Sequence, residues 1–191
     1  VDFSEFSRHA LHHAAAIARW YSAPLTVLYV YVNRPSLDLP PLSLMPGDQA
    51  RLLKELGEFT DGADPDGSPD LVVMEAMSVQ EGVLAQIRAL RADLLVLGTH
   101  GRTGFERLFL GSVTEKLLRK APCPTLVVPR RGPDIEPDAP VSFDRILCSV
   151  DFSESSLDAV ATAIGLAEEG NAKLTLLHVV EIPPGIRSEP G

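Results

Sequence analysis

Apolar positions along this chain follow two alternating rhythms. From about Glu5 to Tyr21, small and apolar residues return every three or four positions, with Ala10, Ala14 and Ala18 on one face. That spacing predicts a helix with a lean face for close packing on a sheet. Leu25–Val32 reads as a strand, and Asn33 to Pro46 as a proline-rich loop. Gln49–Phe59 is predicted helical, Gly62–Pro69 a turn-rich loop, Leu71–Glu75 a strand, Val79–Leu90 a helix and Asp93–Leu97 a strand. A helix over Ser112–Lys120 and a short strand over Thr125–Val128 follow. Arg130 to Pro140, with three prolines and three acids, reads as a linker. Beyond it come a strand, Arg145–Val150, a helix, Glu154–Glu169, and a strand, Leu174–Val180. Strands alternating with helices predict an α/β fold with a doubly wound parallel sheet. Ligands of such sheets lie beyond the carboxyl ends of strands, at the switch point. Asp2 and Gly98 both fall at such ends and are expected to face one crevice.

The chain also repeats itself. With Val1 placed on Val150, Val1-Asp-Phe-Ser-Glu5 meets Val150-Asp-Phe-Ser-Glu154 without a gap. Ser7, Ala10, Ala14 and Ala18 then meet Ser156, Ala159, Ala163 and Ala167. Ala23, Leu25, Thr26, Leu28 and Val30 meet Ala172, Leu174, Thr175, Leu177 and Val179. Identities on both a turn and a helix face mark an internal duplication, offset by 149 residues.

The stretch with the most chemistry is Gly98-Thr-His-Gly101-Arg-Thr-Gly104, followed by Gly111-Ser112. It runs from the end of one predicted strand to the start of a helix. Ser112-Val-Thr-Glu115 has the form of a capping box, with Ser112 as N-cap and Glu115 at the third helical position. Glycines let backbone approach a ligand closely, and a fresh helix N-terminus favours anionic oxygen. Gly98 and Gly101 would admit ribose and phosphates. Gly111, Ser112, Val113 and Thr114 would offer N–H groups and hydroxyls to phosphate oxygens.

The spacing Gly-x2-Gly-x9-Gly-Ser resembles the nucleotide-binding motif of the universal stress protein family. Leu94-Leu-Val-Leu-Gly98 and Leu110-Gly-Ser-Val-Thr-Glu115 look like the family's core segment. Pro122-Cys-Pro-Thr-Leu-Val-Val-Pro129 looks like its final strand, and Val1-Asp-Phe-Ser-Glu5 like the corner after its first strand. The resemblance spans nearly the whole chain apart from residues 33–68 and the linker. It implies an adenine-nucleotide α-hydrolase-like, Rossmann-like sheet of strand order 3-2-1-4-5. It implies ATP as ligand, with or without Mg2+, held by Val1, Asp2, Val30, Leu97, Gly98, His100, Gly101, Arg102, Gly111, Ser112, Val113 and Thr114. It also implies a homodimer, or a tandem pseudo-dimer, through Thr125–Val128. Residues 1–129 would form one domain lacking its first strand, 130–142 a linker, and 143–191 the beginning of a second domain.

Bulk composition narrows the function. With 45% hydrophobic and 23% charged residues the chain is ordinary for a globular protein. No apolar run reaches a membrane-spanning length. The net charge of −9 argues against a nucleic-acid partner. It leaves room for a mononucleotide, because Arg102, Arg107, Lys116, Arg119 and Lys120 cluster around the glycine segment. Cys123 and Cys148 have neither a disulfide framework nor metal spacing, which fits a reduced, cytoplasmic setting. His9, His12 and His13 share a helix, but with no further ligand at readable spacing they read as an ordinary solvent face. His178, opposite Tyr29 in the repeat, is expected to pack at a strand end.

No P-loop, no nucleophile elbow and no paired carboxylates for magnesium are present. The chain therefore reads as a nucleotide-binding regulator of a stress response rather than an enzyme. The alternative is a slow ATPase or another adenine-nucleotide enzyme of the same fold group. Asp2 has a plainer role available, capping the helix that follows it. Finally, the first copy begins where its central strand should be ending, so Leu25–Val32 and Asp93–Leu97 should flank a gap. The chain is thus expected to be a window cut from a longer tandem protein. Across a linker reaching roughly 40 Å, Ile146–Val150 is then expected to insert beside Asp93–Leu97, bringing Asp151 to the glycine loop.

Overall fold

The computed structural model describes residues 1–33, 44–61, 68–99, 110–129 and 143–180. The chain divides into two compact units, Val1–Pro140 and Val141–Gly191.

The first unit opens with α1 (Glu5–Tyr21), β1 (Thr26–Val32), α2 (Pro46–Asp61) and β2 (Asp70–Ala76). It continues with α3 (Val79–Leu90), β3 (Leu95–Gly98), α4 (Ser112–Lys120) and β4 (Thr125–Val128). Strands β1 and β2 pair in parallel, with Thr26 opposite Asp70 and Val32 opposite Ala76. Strands β3 and β4 pair in parallel, from Leu95 opposite Thr125 to Gly98 opposite Val128. A buried cluster of Leu11, Val27, Leu52, Leu56, Phe59 and Val73 joins α1 and α2 to the β1–β2 pair. Helix α1 also packs on β3 and β4, and α3 on β1, β2 and α4. The second unit holds β5 (Arg145–Ser149), α5 (Glu154–Gly170) and β6 (Lys173–Leu177), with β5 and β6 parallel.

The helix boundaries have local causes. Ser4 caps α1 by accepting from the Ser7 amide, and Ser153 caps α5 by accepting from the Ser156 amide. Ser22 and Asn171 end these helices in the left-handed conformation, at φ 50 and φ 49. The repeat is therefore repeated in backbone geometry as well as in sequence. Its corner is unusual in both copies, since Phe3 and Phe152 have φ 64 and φ 65. A bulky side chain in that region is uncommon and strained.

The described strands form three two-stranded sheets, β1–β2, β3–β4 and β5–β6, and no strand among the described residues joins β1 to β3. Two expectations need correction. Strand β5 does not insert beside β3; its sheet partner is β6. Helix α5 connects β5 to its parallel partner β6 within the second unit, a connection that needs no long return. Helix α2 begins at Pro46, three residues before the expected start, because a proline at the first helical position has no N–H to leave unpaired. The linker expected at residues 130–142 lies outside the described residues.

Candidate functional site

The carboxyl end of β3 meets the start of α4 in a compact arrangement. The Gly111 amide donates to the Thr99 carbonyl at 2.8 Å. The buried Thr114 hydroxyl donates to the Gly98 carbonyl at 3.0 Å. These two bonds hold the first turn of α4 against the strand end. Gly98 itself has no room for a side chain, since a Cβ there would lie 3.0 Å from the Phe6 carbonyl oxygen. The first turn of α1 therefore abuts the end of β3.

The N-cap of α4 is Gly111, with no side-chain hydrogen bond to the cap. Ser112 is the first helical residue and is exposed, so the expected Ser112 cap is corrected by one position. The Gly111–Thr99 bond draws the chain into the helix one residue early. Thr114 was expected to offer its hydroxyl to phosphate; that hydroxyl is instead engaged with Gly98. What the helix start offers is backbone. The amides of Ser112, Val113 and Thr114 belong to the first turn, where N–H groups have no intrahelical acceptor. Lys116, Arg119 and Lys120 are exposed on α4, and Arg119 Nη2 lies 3.1 Å from Glu115 Oε1. That pair holds part of the positive charge on the helix itself.

Asp2 is bound into its corner. Its Oδ1 accepts from the Ser4 amide at 3.1 Å, from the Ser4 hydroxyl at 2.6 Å and from the Ser7 hydroxyl. Asp2 thus orders the turn before α1 and holds Ser4, the residue that caps the helix. Asp151 repeats it, accepting from the Ser153 amide at 3.0 Å and the Ser153 hydroxyl at 2.6 Å. These bonds, the Ser153 hydroxyl foremost, hold the Asp151 carboxyl down at about 2. The Val1 nitrogen donates to the Leu28 carbonyl, and the Val150 amide donates to the matching Leu177 carbonyl.

Val30 is buried, and α3 comes so close that a Cβ on Gly82 would lie 2.8 Å from Val30 Cγ1. Leu97 is half-buried in β3. Sequence reasoning missed Phe6, Ser7 and Gly82; the repeated Ser7/Ser156 pair was the available signal for one of them. His100, Gly101 and Arg102 lie outside the described residues. The three histidines of α1 are half-buried, correcting the expected solvent face. The His9 and His13 rings stack edge to face at 4.7 Å, and His13 Nδ1 lies 3.0 Å from the His9 carbonyl. Among the described residues no group of acidic, histidine or cysteine side chains is placed to hold a metal ion. His178 does pack at a strand end, its Nδ1 2.6 Å from the Val150 carbonyl and its ring 4.7 Å from Phe152.

Parallel strand pairs joined through helices define an α/β protein. The chain belongs to the universal stress protein family, whose model matches residues 1–129 and 142–186. Universal stress protein MJ0531 of Methanocaldococcus jannaschii is 33% identical over 138 residues, covering 67% of this chain and 78% of that one. The solved universal stress protein UspA from Lactobacillus plantarum is 25% identical, with a TM-score of 0.55 over 67% of this chain and 92% of that one. A putative universal stress protein of Pseudomonas aeruginosa shares the fold at 21% identity and a TM-score of 0.55, covering 87% of this chain and 54% of that one. Among the described residues, no helix is long and apolar enough to cross a membrane.

Proposed function

We propose that the chain binds an adenine nucleotide, with ATP the expected ligand, and works as a nucleotide-dependent regulator in the stress response. The observation that carries the reading is the uncapped start of α4, held at the end of β3 by Gly111 and Thr114. Three helix amides there suit a phosphate, in the way helix N-termini generally do. The spacing Gly98-x2-Gly101-x9-Gly111-Ser112 supports a polyphosphate wrapped by the intervening segment. Asp2 and the Val1 and Val30 backbone would take the ribose and adenine. Asp2 keeps its bonds to Ser4 and Ser7 in this reading and contacts the sugar with the rest of its carboxylate. Mg2+ would accompany the phosphates without a dedicated protein carboxylate pair.

The sheet of residues 1–129 is read as order 3-2-1-4-5. In that reading the β2–β1 pair would take positions 3-2 and the β3–β4 pair positions 4-5. Residues 143–191 are read as the start of a second, related domain, and the cytoplasm as the setting. Strand β4 pairs only with β3 among the described residues, which leaves an edge suited to a homodimer. Equilibrium dialysis against ATP, with analysis of the nucleotide recovered, tests the functional reading. Retention of intact ATP is the expected result. Absence of retention would overturn it, and recovery of ADP would instead favour a slow ATPase.

A further inference from the structure

The start of α1 holds one more polar group than capping requires. In a capping box the cap hydroxyl accepts from the third helical amide, and a Glu or Gln at that third position reaches back to the cap amide. The first of these bonds is present, since the Ser7 amide donates to Ser4 Oγ at 3.2 Å. The return bond is made by another residue. Asp2 Oδ1 accepts from the Ser4 amide at 3.1 Å. The third helical position is Ser7, and its hydroxyl has a different task.

A hydroxyl can donate once and accept as well. Ser7 does both toward a single residue. Its Oγ accepts from the Asp2 amide at 3.1 Å and donates to Asp2 Oδ1. The ring so closed runs through the Asp2 backbone and side chain, and it restricts the torsions between them. With the Ser4 amide and hydroxyl, three donors converge on that one carboxylate oxygen. The second copy of the repeat builds the same corner. There β5 leads into it, Phe152 has φ 65 against 64 for Phe3, and Ser156 stands where Ser7 does. The duplication keeps this serine while its neighbours Phe6 and Arg8 become Ser155 and Leu157. The Ser153 hydroxyl, then the Ser153 amide and then the Ser156 hydroxyl hold the Asp151 carboxyl below its ordinary value.

We propose that Ser7 is a positioning residue of the nucleotide site, its hydroxyl fixing the Asp2 carboxylate in the orientation that meets the sugar and base. This role rests on the reading of Asp2 as a nucleotide contact. Ser7 itself touches no ligand. Its contribution is preorganisation, since the carboxylate gives up rotational freedom on folding rather than on binding.

Calorimetric titration of ATP into the full chain and its variants tests this. Ser7→Ala should raise the Kd about three- to tenfold, the worth of one such hydrogen bond. Ser7→Thr keeps the hydroxyl and should stay within about twofold of the parent. In an Asp2→Ala background the Ser7→Ala change should add less than about twofold, because no carboxylate remains to be positioned. Inorganic tripolyphosphate, which has neither sugar nor base, should bind the parent and Ser7→Ala equally. Should Ser7→Ala fail to fold by circular dichroism, Ser7→Cys replaces the hydroxyl by a weak donor and carries the same expectations. Unchanged ATP affinity in Ser7→Ala would overturn the positioning role. So would the full loss repeated without the Asp2 carboxylate, or a matching loss for tripolyphosphate. A parent chain that binds no ATP would overturn the nucleotide reading itself, and the role of Ser7 with it.

Discussion

Each strand-to-helix corner of the repeat is clamped by one carboxylate, Asp2 or Asp151. Asp151 accepts from the Ser153 amide and hydroxyl, so its charged form is favoured in the folded chain. Its folded value of about 2 lies below the ordinary 3.8. The sign follows: this corner gains stability above the ordinary value and loses it as pH falls through 3.8 toward 2. Carboxyl NMR titration should place Asp151 near the lower figure, and titration at the ordinary value would contradict the clamp. Gly98 and Thr114 give a second residue-scale expectation. Thr114→Val removes the hydroxyl donor to the Gly98 carbonyl and should cost about 1–3 kcal/mol. Gly98→Ala drives a Cβ toward the Phe6 backbone and should cost about 1–3 kcal/mol. Denaturant unfolding measures both, and changes within error would show that the α4 start is not held as described. These residues differed in how legible they were. The glycine spacing stood out in the sequence. The Thr114 bond did not, because a hydroxyl's partner depends on where β3 ends relative to α4. Ser112 was misplaced by one residue because its serine-to-glutamate spacing matches a capping box, while a tertiary bond from Gly111 to Thr99 decides the cap.

Helices and strands were largely readable, because period-four and alternating patterns are local. The shared small-residue face predicted both long helices to within a residue. Strand β6 ends at Leu177, short of the expected Val180, since its partner β5 ends at Ser149 and His178 turns to the Val150 carbonyl. Helix caps provide the element-scale test. Ser153→Ala deletes the acceptor for the Ser156 amide and should destabilise the second unit by about 1 kcal/mol. Ser4→Ala deletes the matching cap and also a donor to Asp2, so its cost should be larger. Circular dichroism melts of the two variants check the order; equal and negligible effects would contradict it.

Sheet assembly was the least legible level. Which strands meet is a non-local property, and the expected insertion of Ile146–Val150 failed against a nearer partner. The repeat with its 149-residue offset was legible and reappears in caps, corner dihedrals and the bonds to Leu28 and Leu177. Exposed apolar residues in the second unit, Leu176 and Ile164 among them, were hidden from sequence because exposure depends on what covers a face. The free edge of β4 predicts a homodimer at micromolar chain concentrations, and Leu126→Asp should shift it to monomer in light scattering. A monomer at all concentrations would remove that interface. The central claim, nucleotide held at the α4 start, is tested most directly by calorimetric titration of ATP into the full chain beside its Gly101→Val variant. One saturable site of micromolar Kd in the parent, lost in a variant that remains folded, is the predicted result. No heat of binding in the parent, or the same affinity in both proteins, would contradict it.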